Sequence, residues 1–296
     1  MKIKFLSLLF VLILTVVSTE ATASESKSLM VAKPFGPSEA IPDPAKASNG
    51  WYTSEAGVTE TLFILDFDMQ LKPWLAKSYE NLTPLTWEIR LKQGIHFHDG
   101  ELLDADAVKW SIERLIDEKS PVFNKQIYEL LDIKNITVKD KHVLVFETKQ
   151  PNAFFPYNLV SPAAAILSPK SGADKLFATG PFVLKKVIPN EQMDLSGFDK
   201  YWEGKVQLDK VTLKIIENPA TRMLGFESGQ LDLVVNYPEV DAKRMLNKKG
   251  LHIVHEPTNR LCFFFVRVAD GPLKDKRIRQ AINHAINRKE LVEAVL

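Results

Sequence analysis

The 296-residue chain carries 38 Lys and Arg against 37 Asp and Glu, and the net charge of +1 excludes the basic excess that a nucleic-acid-binding surface needs. With 45% hydrophobic and 25% charged residues it has the balance of an ordinary globular protein, long enough for one large domain or two modest ones. The single Cys262 cannot form an internal disulfide, and its neighbours Leu261 and Phe263 to Phe265 predict a buried thiol.

Lys2 and Lys4 precede an apolar run from Phe5 to Val17 that only Ser7 and Thr15 interrupt, and Ala21-Thr22-Ala23 supplies the small-x-small pattern of a cleavage site. Residues 1–23 therefore read as a signal peptide, with the mature chain beginning near Ser24. The run is shorter than the roughly 20 apolar residues of a bilayer span, which leaves a retained membrane anchor as the alternative. No Cys follows it to accept a lipid.

Residues 34–53, rich in Pro and Gly, read as loop. Trp87, Ile89 and Leu91 share one parity, and Ile95 and Phe97 continue it after Gln93-Gly94, so 87–97 is expected as a half-buried strand pair closed by the Asp99-Gly100 turn. Asp104 is placed to cap a helix, with Leu103 and Val108 spaced as a hydrophobic staple and Val108, Ile112 and Leu115 along one face. Ile136 and Val138 pair in pattern with Leu144 and Phe146 around Asp140-Lys141, and a second hairpin joins Phe182–Ile188 to Met193–Phe198 through Pro189-Asn190. Asn218-Pro219 starts a helix that Gly229 ends, and Leu231 to Val235 follows as a short strand. Asp275 caps the most periodic helix, striped by Ile278, Ala281, Ile282, Ala285 and Ile286, and Asn287 with Glu290 resembles a new capping box.

The segment His96-Phe97-His98-Asp99 puts two His on one strand face, as a metal site would, but no third ligand stands at a recognisable spacing, so a structural role is expected for both. His142, His252, His255 and His284 form no ligand pattern, and no GxSxG, HExxH, Walker-type or GxGxxG motif occurs. Neither catalytic residues nor a metal nor a cofactor is expected. The remaining candidates are Asn49, Trp51 and Tyr52, because aromatics in a loop can line a cleft; core packing of either ring is the plainer alternative.

Several blocks then fall in register. Pro73 to Tyr79, Trp87 to Leu91, Phe97 to Gly100 and Asp104 to Val108 resemble the signature of the peptide/nickel type of extracellular solute-binding proteins, family 5. The resemblance continues through Thr179-Gly180-Pro181-Phe182, Phe198 to Val211, Ala220-Thr221-Arg222, Phe226 to Gly229, Leu231-Asp232-Leu233, and from Pro272 to Asn287. It implies an α/β fold of periplasmic-binding-protein-like lobes with mixed sheets and an inserted accessory α+β domain. Carried onto this chain, lobe one takes 24–50 and 175–268, the accessory domain 51–174, and the start of lobe two 269–296, with most of that second lobe missing and only half of the ligand site present.

The implied function is capture of a small solute outside the cytoplasmic membrane, periplasmic or cell-surface associated, by a monomer that delivers it to the permease subunits of an ABC transporter. A short peptide is the first expected solute and a nickel chelate the second. Similar binders have pocket side chains where Tyr52 stands, whereas Ser161 to Ala165 lacks the arginine that nickel binders use for chelate carboxylates. A ligand-sensing receptor without transport and a cleft hydrolase are the alternatives.

Overall fold

The computed structural model describes residues 26–238, 244, 245, 248, 250–254 and 263–295. The expected signal segment, His255 and Cys262 lie outside them.

Among the described residues, two larger sheets, a two-stranded ribbon and two cores organise the chain. The first sheet has, in order across it, β11 (Leu233–Val234), β1 (Ser28–Lys33), β10 (Lys210–Ile215), β9 (Gln192–Gly197) and β8 (Phe182–Ile188). Strand β1 lies parallel to both β10 and β11, and β9 with β8 complete the sheet antiparallel. The β8–β9 hairpin is the one expected, and Asn190 in its turn takes φ 58°, a left-handed conformation that Asn tolerates. Of the apolar run Leu231 to Val235, only Leu233 and Val234 are strand.

The second sheet, in order β4 (Ala76–Thr83), β5 (Thr86–Leu91), β7 (Val143–Thr148) and β6 (Ile133–Asp140), is antiparallel throughout. Its β6 and β7 match the predicted hairpin, with Ile136 opposite Phe146 and Val138 opposite Leu144. Strand β5 buries Trp87, Ile89 and Leu91 as its alternation requires. Its partners correct the sequence reading, however. They are β7 and β4, not the segment containing Ile95 and Phe97. Residues 77–83 of β4 are all exposed, so this edge strand carries no period-2 hydrophobic signal. Ile95 and Phe97 are buried by a loop held with a single His96–Leu102 bridge. A two-stranded ribbon, β2 (Phe63–Leu65) with β3 (Leu71–Pro73), stands beside them.

Helix α2 (Ala105–Ile116) begins where its cap dictates: the Asp104 carboxylate accepts from the Ala107 amide at 2.9 Å. Val108, Ile112 and Leu115 are buried with Phe97 and Phe146 in one core, which also takes in α3 (Lys125–Leu131) and α4 (Phe155–Asn158). The other core gathers Val31, Val187, Leu195 and Val211 of the first sheet with Ala56, Val58 and Leu167. Helix α5 (Pro219–Glu227) starts at Asn218, whose side chain accepts from the Thr221 amide, and α6 (Lys276–Ala285) starts at Asp275 in the same manner. Its stripe is open to solvent, with Ile278 and Ile282 both exposed. Helix α7 (Arg288–Val295) follows Asn287, which accepts from the Glu290 amide.

Among the described residues, the buried Glu60 and the partly buried His98 are two of the polar ties between the cores. Glu60 accepts from Trp74 Nε1 at 2.9 Å, Thr179 Oγ1 at 2.6 Å, Tyr201 Oη at 2.9 Å and Trp202 Nε1 at 3.1 Å. Burial pushes its pKa above the ordinary 4.5, against these four hydrogen bonds, which pull it down. His98 is the second tie. Its amide donates to the Ala178 carbonyl, Ala178 N–H donates back to Nδ1 at 3.3 Å, and Nε2 meets the Gly180 carbonyl at 2.9 Å. The Ala178 amide can only donate, so these partners assign the neutral tautomer with hydrogen on Nε2.

Candidate ligand-binding site

Strands β1 and β10 run parallel, so Lys33 and Ile215 end at one rim of the sheet. Crevices outside the carboxyl ends of parallel strands are where open α/β sheets bind ligands. The chain leaving β1 turns across this rim, and Gly36 lies so close to Ile215 that a Cβ there would be 2.4 Å from its Cδ1. Between this turn and helix α1 (Asn49–Glu55) opens a cavity of about 310 Å³ lined by Phe35, Gly36, Asn49, Tyr52, Ile215 and Glu217, among others.

Asn49-Gly50-Trp51-Tyr52 is thus the first turn of a helix, not a loop. The helix is short, and Ser48 before it makes no side-chain cap, so the usual start signal is absent. Gly50 is dictated by packing instead. The turn at Pro162–Ala164 passes so near that a Cβ on Gly50 would lie 2.8 Å from the backbone of Pro162 and Ala163. Asn49 is buried, and its Nδ2 has no hydrogen-bond partner among the described residues. Tyr52 is half-buried, with the Lys33 ammonium 5.4 Å from its ring centroid, and Lys33 is ion-paired with Glu55. Trp51 is 61% exposed, so core packing does not hold it, and it is not part of the cavity lining. Two of the three candidates are therefore brought together and the third points elsewhere.

Phe35, Ile215 and Glu217 escaped the sequence reading. Nothing local marks them; they become a wall only once β1 and β10 are known to be neighbours. Arg222 fixes the floor behind them. Almost wholly buried, it donates to the carbonyls of Ile216 at 2.6 Å, Glu217 at 2.8 Å and Asn236 at 2.7 Å. Burial pulls its pKa below the ordinary value.

A larger recess of about 490 Å³ lies between α5 and β11, lined mainly by apolar side chains such as Met223, Phe226, Leu233 and Val254. Its carboxylate, Asp232, already accepts from the Met30 amide at 2.7 Å. The smaller cavity, with its polar side chains beside an aromatic one, is better furnished to orient a solute. Neither His96 nor His98 is part of that lining, and Nδ1 of His96 meets the Gly100 carbonyl at 3.0 Å. Among the described residues no three His, Cys, Asp or Glu converge as metal ligands, and no helix is long and apolar enough to cross a membrane.

Comparison with known proteins closes the question of kinship. Residues 70–296 match the family described as bacterial extracellular solute-binding proteins, family 5. The glutathione-binding protein GsiB of Salmonella paratyphi A is 31% identical over 241 residues, covering 78% of this chain and 47% of that protein. The chain spans about half the length of the curated relatives it matches. Among solved structures, a nickel ABC transporter protein from Bacillus halodurans superposes with a TM-score of 0.75 at 28% identity, over 91% of this chain and 56% of the other. NikA of Staphylococcus aureus, in complex with nickel and histidine, does so with a TM-score of 0.66 at 26% identity, over 76% and 46%. The mixed sheets are those of the periplasmic-binding-protein fold, and the chain belongs to family 5 of the bacterial extracellular solute-binding proteins of ABC transporters.

Proposed function

We propose that the chain captures a small solute outside the cytoplasmic membrane and hands it to the permease of an ABC importer. The observation that carries this reading is the cavity at the carboxyl ends of β1 and β10, with Asn49 and Tyr52 on its wall. A short peptide is the first solute: GsiB binds glutathione, itself a tripeptide, and Ser161 to Ala165, beside α1, offers no cation for a polycarboxylate chelate. A nickel chelate is the second reading, favoured by the two nickel-protein structures. Export follows the signal-like residues 1–23, and the protein acts as a monomer.

The division into lobe one and an inserted accessory unit is supported by the two cores. Ala56, Val58 and Leu167 pack in the core of the first sheet, which draws the accessory unit in from 51–174 to about 59–166.

Calorimetric titration of the purified chain with trialanine, glutathione and a nickel–histidine mixture tests the assignment. A Tyr52→Ala variant should bind the accepted solute about tenfold more weakly, or about 1.4 kcal/mol, while unfolding at the wild-type temperature. Unchanged affinity in that variant would sink the cavity as the solute site.

A further inference from the structure

We propose that this cavity takes the ammonium end of its solute, with the Glu217 carboxylate as counter-ion and Tyr52 as the adjoining aromatic wall. The inference rests on the reading of the cavity as the solute site and adds the charge of the group bound there. Glu217 is the one formally charged side chain in the lining. It is exposed, and among the described residues no Lys or Arg forms an ion pair with it. Two cations that border this wall are already committed. Lys33, beside Tyr52, is held by Glu55. Arg222 is buried behind the wall and donates to the backbone carbonyls of Ile216, Glu217 and Asn236. A solute carboxylate entering here would meet a like charge with no cation paired to it, whereas an ammonium would gain a charge-assisted hydrogen bond to Glu217 and the face or edge of an aromatic ring. The remaining polar side chains, Ser38, Ser48, Asn49 and Asn190, are neutral and suit the amide groups next to such an ammonium.

Trialanine amide and N-acetyl-trialanine amide share a backbone and differ by one ammonium. Amide NMR shifts of the nitrogen-15-labelled chain report both where each binds and how tightly, even when binding is weak. Both peptides should perturb Asn49, Tyr52 and Glu217, and the acetylated one should bind at least about tenfold more weakly, the loss of one charge-assisted hydrogen bond. In Glu217→Gln, a surface change that leaves the fold intact, the two affinities should fall within about twofold of each other, because the neutral amide no longer distinguishes the peptides. Equal binding of the two peptides by the wild type overturns the ammonium assignment, as does a preference that survives Glu217→Gln. Perturbations that map away from the cavity, or none with any peptide, would instead overturn the reading of the cavity itself.

Discussion

Acid should loosen this protein through His98, and the size of the effect follows from the side chain's surroundings. Burial is the main cause that depresses its pKa from 6.5 to about 4; Lys185 adds to the depression, while the Gly180 carbonyl and Asp99 pull the other way. The geometry agrees. A proton on Nδ1 would set one N–H against the Ala178 N–H that now donates there, and the tie between the two cores would break. An unfolded chain takes up its imidazole proton near 6.5, the folded one only near 4, so this contribution is complete above pH 6.5 and is lost as pH falls from 6.5 to 4. At 1.36 kcal/mol per pH unit, the difference between 6.5 and about 4 amounts to at most about 3 kcal/mol. Urea unfolding followed by circular dichroism at pH 7, 5.5 and 4.5 measures it, with His98→Gln as the reference that cancels every other titrating group. Gln can still donate to the Gly180 carbonyl, so the variant should be less stable by about 1–3 kcal/mol at pH 7, and that deficit should close by pH 4.5. A deficit independent of pH, or an imidazole that titrates near 6.5 in the native state by NMR, would refute the reasoning.

Other perturbations have equally definite outcomes. Glu60→Ala strands the donors of Trp74, Thr179, Tyr201 and Trp202, and chemical denaturation should show a loss of about 3–5 kcal/mol. Gly50→Ala forces its Cβ against the Pro162–Ala163 backbone, so it should destabilise by about 1–3 kcal/mol and, by shifting Tyr52, weaken solute binding in calorimetry. Asp104→Ala removes the cap of α2 at a cost of about 1 kcal/mol in thermal unfolding, without touching the solute cavity. Replacing His96 by Asn should leave solute affinity within about threefold, less than 1 kcal/mol; a hundredfold loss with folding intact would show a ligand role.

Helix starts were legible because a cap is a contact within one turn. Asp104, Asn218 and Asp275 each accept from an amide two or three residues on, and each announces its helix without tertiary information. The hairpins β6–β7 and β8–β9 were legible for a similar reason, since both strands and the turn are contiguous. The family blocks were legible as well, but not what unites several of them. Trp74, Thr179, Tyr201 and Trp202 are drawn from three separate blocks and all converge on Glu60, up to 142 residues away along the chain. Strand β4 and helix α1 were not legible: one has no buried alternation because it is an exposed edge, the other no cap and a glycine that looks like a break until Pro162 is seen beside it. The cavity lay furthest from the sequence. Asn49 and Tyr52 could be named as candidates, but Phe35, Ile215 and Glu217 join them only because β1 and β10, far apart in the chain, lie side by side in parallel. Local hydrogen-bond chemistry determines where elements begin; a site assembled from strand ends depends on long-range pairing, which no short window of residues encodes.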